Sequence, residues 1–238
     1  VAGGLAQPPG LGQAASLPPL QLGQFQPSNR GFAAAVGDRL RVSGKERLVL
    51  SGTLAFSTGP STPVQVTTQW PDNLRVDFGP GHTTFDGTTL GNGAGVAKKD
   101  EDLVNGFIFD FVDHYLAAQS QGAALRSIGP SHVRDGSTST VWHYVQALDR
   151  ARLAGKDIPV LKLYGFDVTT RLLQIVTYDL NIQGVNTHIQ MRFQNWQLTN
   201  QQWLPGKITR FENGAATFTF VLTGGLITSA ANDGAFKQ

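Results

Sequence analysis

The chain has no cysteine. Disulfides, thiolate metal sites, a cysteine nucleophile and a lipid-bearing cysteine are therefore excluded within these residues, although an oxidising compartment is not. Charge is also scarce. Asp, Glu, Lys and Arg make up 15% of the 238 residues, against about 25% in an average globular protein. Thr, Gln, Asn and Gly fill the surface instead, which leans towards a periplasmic or secreted protein. The formal net charge is only +2, and the basic residues are scattered. Their densest group (Arg39, Arg41, Lys45, Arg47) alternates with apolar residues and reads as the edge of a strand. Nucleic-acid binding needs basic residues gathered on one face, so none is expected. No apolar run approaches the ~18 residues of a membrane span. The first residue is Val1, as expected after removal of a signal peptide or after trimming.

What is present divides unevenly. Residues 1–28 form an uncharged Pro/Gln/Gly/Ala tract with Pro8-Pro9, Pro18-Pro19 and Pro27. Such a composition cannot offset its ordering entropy by burial, so it reads as a flexible arm. The alternative is that Leu17, Leu20, Leu22 and Phe25 pack over the domain. Residues 29–238 read as one domain, since β barrels and sandwiches reach about 250 residues as a unit. A short helix is expected at Arg30–Leu40, weakened by Gly31 and Gly37.

Beyond it, a period of two dominates. Leu48, Leu50, Leu54 and Phe56 share one parity, and Val64, Val66, Thr68 and Trp70 another. Leu74, Val76 and Phe78 alternate with Arg75 and Asp77. Further strands are expected at Thr140–Leu148, Val160–Val168, Leu172–Ile182, Thr187–Leu198, Trp203–Phe211 and Ala216–Leu222. Turn signals at Pro71-Asp72-Asn73, Gly79-Pro80-Gly81, Asp86-Gly87 and Asn213-Gly214 separate the runs. Short links between successive strands imply an antiparallel meander.

One segment breaks the rhythm. Asp100–Ala118 reads as a helix, with Asp100, Glu101 and Asp102 at its positive end. Leu103, Val104, Phe107, Ile108, Phe111, Val112 and Tyr115 fill about half its circumference, and Phe109 falls outside that arc. So apolar a helix belongs in the concavity of a curved sheet. The fold class expected is mainly β (α+β): a strongly curved antiparallel sheet, an unclosed barrel, wrapping an apolar helix.

The segments GTLAF, VTTQWPDNLRVDFG and TTFDGTTL resemble the strand, proline turn, strand and Asp-Gly hairpin of the LolA/LolB-like lipoprotein-carrier family. LKLYGFDVTTRLLQIVTYD, WLPGKITRFENG and the closing ITSAANDGAFK resemble its later stretches in the same order. The resemblance covers about Arg47 to Phe236. It implies an unclosed barrel with a helical lid, an apolar cavity and a lipid or acylated protein as partner. Trp70 stands before Pro71, where such carriers commonly have an arginine that fastens the lid. That lock does not carry over.

The chemistry expected is negative. His82, His114, His132, His143 and His188 show no helical metal spacing and no HExxH motif. His143 and His188 lie in expected strands and could meet, but hydrogen-bonded histidines are the plainer reading. Asp110 and His114 read as an i,i+4 pair, and no G-x-S-x-G elbow exists for a hydrolase. Asp77, Asp86, Asp167 and Asp179 could supply paired carboxylates, but Asp86 and Asp167 read better as turn formers. Gly91–Gly95 lacks the Lys-Ser/Thr of a phosphate loop. No metal, cofactor or enzymatic activity is expected.

The expected site is a ligand-binding one formed by Trp70, Leu74, Phe78, Phe107, Ile108, Phe111 and Tyr115, with the helix ridge facing the sheet residues. The function expected is a periplasmic binding or carrier protein for a lipid, acyl chain or lipoprotein, with membrane-associated protein partners and a monomeric state. The rival is a sensor or scaffold module with a filled core, and a hydrolase is the third and less favoured reading.

Overall fold

The alternating apolar runs become strands, and their parity sets which face is buried. The computed structural model describes residues 44–79, 81–91, 97–120, 123, 125–135, 138–182, 184–199, 202–232 and 234–237. The tract 1–28, the helix expected at 30–40 and residues 92–95 of the glycine loop lie outside the described residues. Four strands come first: β1 (Glu46–Phe56), β2 (Thr62–Gln69), β3 (Asn73–Phe78) and β4 (Gly81–Asp86). A helical segment follows: α1 (Lys98–Val104), a π-helical turn (Asn105–Phe109) and α2 (Val112–Ser120). The remainder is strand: β5 (Leu125–Asp135), β6 (Thr138–Leu153), β7 (Lys156–Asp167), β8 (Leu173–Ile182), β9 (Val185–Gln194), β10 (Gln197–Thr199), β11 (Gln202–Leu204), β12 (Lys207–Glu212) and β13 (Ala215–Ser229).

Eleven strands make one antiparallel sheet in the order β4-β3-β2-β1-β13-β12-β9-β8-β7-β6-β5, and β10 and β11 form a small separate hairpin. The first and last strands of the chain thus pair in the middle, and β4 and β5 are the edges. The helical segment is the link between those two edges, so it spans the opening of an unclosed barrel. Its rings touch β4, β7, β9 and β13 at once, so the sheet curves around it.

Local chemistry explains where elements differ from the sequence expectation. β5 was not expected, because Gly129-Pro130 sits in its middle. An edge strand tolerates a proline that cannot donate to a ladder. The expected strand Trp203–Phe211 is split, because Pro205 interrupts donation and Gly206 turns back to donate to Asn195 O at 3.0 Å. β13 runs past Leu222 to Ser229. Its pairing with β1 slips there: Ser51 meets Gly224 and Gly52 meets Leu222, leaving Thr223 as the extra residue of a bulge. The bulge flips parity, so both Leu222 and Ile227 pack on the core. Gly52 lies against the Phe220 ring, where a Cβ would come within 2.6 Å of the aromatic carbons.

On the convex face the end of the chain folds back over the first strands. Arg47 donates to Ala231 O and lies over the Phe236 ring, and Arg75 donates to Ala235 O at 3.2 Å.

Candidate functional site

The expected helix over Asp100–Ala118 starts at Lys98 and is broken in two places. Within the π turn, Asp110 N donates to Asn105 O at 2.7 Å, a span of five residues. The extra residue rotates the helix face, so Phe109, placed outside the apolar arc by a regular helix, becomes fully buried. Every residue from 101 to 112 is buried, as befits a helix enclosed on all sides rather than one lying on a surface. Gly106 permits this approach: a Cβ there would sit 2.6 Å from the Phe218 ring and 3.2 Å from Met191.

The aromatic ridge packs mainly on the later strands. Phe107 stacks on Phe218 and meets Phe220 edge-on, with ring centroids 6.0 and 5.3 Å apart. Phe111 meets Phe193, and Tyr115 lies between Tyr164 and Phe166. The expectation that Phe107, Phe111 and Tyr115 together face Trp70, Leu74 and Phe78 is corrected. A π turn and a break at Asp110 destroy the i, i+4, i+8 ridge of a continuous helix. Phe109 instead meets Phe85 of β4 and lies under the Arg150 guanidinium. Leu74 is fully buried in the core and Phe78 only partly.

Polar groups on the sheet that the sequence reading did not single out, Lys162, Asp149, Tyr164 and Tyr178, fasten the helix. Lys162 on β7 has no exposed surface. Its ammonium lies 2.9 Å from Asp110 Oδ1 and 3.2 Å from Asp149 Oδ2, and donates to Phe109 O at 2.6 Å. Tyr178 donates to Asp110 Oδ2 at 2.8 Å, and Tyr164 to Asp149 Oδ2 at 2.5 Å. His114 Nε2 lies 2.8 Å from Asp149 Oδ1. The expected Asp110–His114 pair is thus replaced: each residue reaches the sheet, because the break between them removes the one-turn spacing. Burial works against the charge on Asp149, but Lys162, His114 and Tyr164 outweigh it and hold the carboxyl well below its usual range.

Three more anchors hold the first turns. Glu101 accepts from Ala154 N and Gly155 N at 3.1 and 2.6 Å. The Asn105 amide grips the backbone of Arg152, donating to its O at 2.9 Å and accepting from its N at 2.7 Å. Asp102 faces the buried Arg210 of β12 at 3.3 Å, and Lys98 and Glu212 complete the cluster. Burial raises the Asp102 pKa even against the pull of Arg210 and Lys98. The same chemistry fixes the turn after β2, where Asp72 accepts from Arg150 at 2.5 Å.

A cleft opens beside the break in the helical segment, lined by Glu46, Thr68, Gln69, Trp70, Pro71, Phe107, Ile108, Asp113 and His114. Its space is about 30 Å³, room for one or two waters and not for an acyl chain. Of the expected site residues, Trp70, Phe107 and Ile108 are brought together here. Two polar atoms at the cleft, Glu46 Oε2 and His114 Nδ1, are buried without a hydrogen-bond partner.

The other expected constellations separate. His143 in β6 meets Ser127 Oγ at 2.9 Å, and His188 in β9 meets Asp179 Oδ1 at 2.8 Å. β7 and β8 lie between them. Asp77 pairs with Arg75, and Asp86 and Asp167 accept from the backbone of their own turns. Among the described residues no cluster of three or more His, Asp or Glu could hold a metal ion. No helix there is long and apolar enough to cross a membrane.

No family model matches the chain, and no curated protein matches it in sequence. Solved structures do match in fold. A LolA superfamily protein from Nitrosomonas europaea is 10% identical with a TM-score of 0.52, over 88% of this chain and 97% of that one. A Vibrio parahaemolyticus domain named for outer membrane lipoprotein sorting is 6% identical with a TM-score of 0.51, over 88% and 97%. A DUF1329 family protein from Desulfovibrio piger is 8% identical with a TM-score of 0.52, over 89% and 98%. The chain therefore has the LolA-like fold: one large antiparallel sheet, unclosed, around a short helical segment.

Proposed function

We propose that the protein binds an apolar ligand (an acyl chain, a lipid or an acylated protein) in the periplasm or outside the cell, as a carrier rather than an enzyme. The observation that carries this reading is the occupant of the concave face. It is an apolar helical segment, cut into pieces of seven, five and nine residues, joining the two edge strands of the sheet. The described state is the closed one. The ligand takes the place of the helix, because the cleft beside it is too small. Phe107, Ile108, Phe111 and Tyr115 then serve as stand-ins for a bound chain, and Trp70, Leu74 and Phe78 border the space they leave. Each buried ring contributes about 1.5–3 kcal/mol, so the helix leaves only when an equivalent apolar surface replaces it. Binding and release are a population shift between closed and open forms.

A second reading, a sensor or scaffold module that never opens, is favoured by one feature. Among the described residues the helical segment is buried against the sheet, and buried ion pairs tie it to β6, β7 and β12. Native mass spectrometry of the protein purified from cells separates the two, by showing whether lipid copurifies. An environment-sensitive apolar dye gives the complementary test. Wild type and the surface control Gln194→Ala should bind it equally, and Phe111→Asp, which weakens the competing occupant of the concave face, should bind it more tightly, provided circular dichroism shows that the variant folds. Wild-type protein that carries no lipid and takes up no dye would favour the module.

A further inference from the structure

The cleft at Trp70 is chemically different from the apolar interior. Glu46 shares the inward parity of Leu48 and Leu50, and Trp70 that of Val64 and Val66. The Arg47–Gln69 pairing places Glu46 and Trp70 side by side, one step further along β1 and β2. His114 approaches from the helix, its ring centroid 6.2 Å from that of Trp70. Its Nε2 faces the Asp149 carboxylate, which accepts only, so Nε2 carries the proton in the neutral ring. The other nitrogen, Nδ1, is then an acceptor. It is unpartnered on a side chain only 8% exposed. Glu46 Oε2 is likewise an acceptor without a donor. Two buried acceptors at an acid-lined cleft, beside a half-buried indole, call for a compact donor of several hydrogen bonds.

We infer that this cleft binds the primary ammonium group of a small alkylamine, which donates to Glu46 and His114 Nδ1 with its charge against the Trp70 ring. An ammonium carries three donors and is about the size of a water, so it fits the space available. Its attraction to an indole face operates within about 6 Å of the ring. An alcohol supplies a single donor, and a sodium ion supplies none. Ile108, Phe107 and Pro71 give the carbon chain an apolar wall. The site stands independently of whether the helix ever opens.

The test is a nuclear magnetic resonance titration of the isotope-labelled full chain with ethylammonium chloride, read at the Trp70 indole N–H and the His114 ring. Ethanol and sodium chloride at matched ionic strength are the controls. A saturable shift at both residues with ethylammonium alone is expected. Glu46→Gln, which keeps the shape, should weaken the affinity roughly tenfold or more by removing the charge-assisted hydrogen bond, with the remaining spectrum unchanged. Equal shifts with all three solutes, or no saturation, would mean that the cleft holds only water and would overturn the inference. Unweakened binding in Glu46→Gln would also overturn it. Dye uptake by the same samples reports separately on the apolar-ligand reading.

Discussion

Lys162 is a buried charge that ties the helical segment to β6 and β7. Its inward neighbours on β7 are Val160, Tyr164 and Phe166, so strand alternation puts an ammonium on the apolar face. Asp149 sits among Val145, Ala147 and Ala151 on β6 in the same way, and Arg210 beside Ile208 on β12. Removing one partner of a buried pair leaves the other charge uncompensated, at about 3–5 kcal/mol. Lys162→Met should therefore lower the unfolding free energy by about that amount in urea titration. Asp149→Asn should also destabilise, with a distinctive pH dependence. The folded Asp149 pKa is depressed, whereas an unfolded aspartate titrates near ~3.9. Its contribution is complete above the unfolded value and lost as pH falls through the folded one. The stability gap between wild type and Asp149→Asn should close as pH falls from about 5 towards about 2. A gap constant with pH would show that Asp149 is not held ionised by its neighbours. Gly106→Ala should cost about 1–3 kcal/mol through overpacking against Phe218 and Met191, measurable by thermal melting.

At the scale of elements, most strands were legible because apolar and polar residues alternate with a period of two. β5 was hidden by Gly129-Pro130, since the punctuation that normally ends a strand is tolerated at an edge. The helical segment was legible as a place but not as a shape. The seven-residue apolar arc in Asp100–Ala118 announces a buried helix, whereas the π turn depends on contacts outside the segment. The Asn105 amide is committed to Arg152, and Asp110 to Lys162 and Tyr178. The same holds for the candidate site. Trp70, Phe107 and Ile108 were found as apolar residues near a turn and a helix, but their meeting with Glu46 and His114 depends on strand register. The inward parity of Lys162, Asp149 and Arg210 was the available signal for the polar anchors. Asn105→Ala should loosen the junction of α1 and the π turn, leaving Arg152 N and O unsatisfied at about 1–3 kcal/mol. Amide exchange should accelerate over 98–117 while β8 and β9 stay protected. Uniform acceleration along the chain would show that the segment opens only with the whole domain.

For the whole molecule, the decisive property is that the sheet is not closed. Its edge strands β4 and β5 are linked by the very segment that fills its interior, so in the proposed open form the helix leaves without breaking any of the sheet's strand pairings. Buried ion pairs hold it in place, and the proposed apolar ligand would have to supply equivalent burial to displace it. The central claim is therefore tested by hydrogen–deuterium exchange of the full chain with and without lauric acid. If the helix is a displaceable occupant, saturating ligand should raise exchange across 98–117 and leave β8, β9 and β12 unchanged or better protected. Bound lauric acid with unchanged exchange in that segment would contradict the account, as would a protein that binds no lauric acid at all.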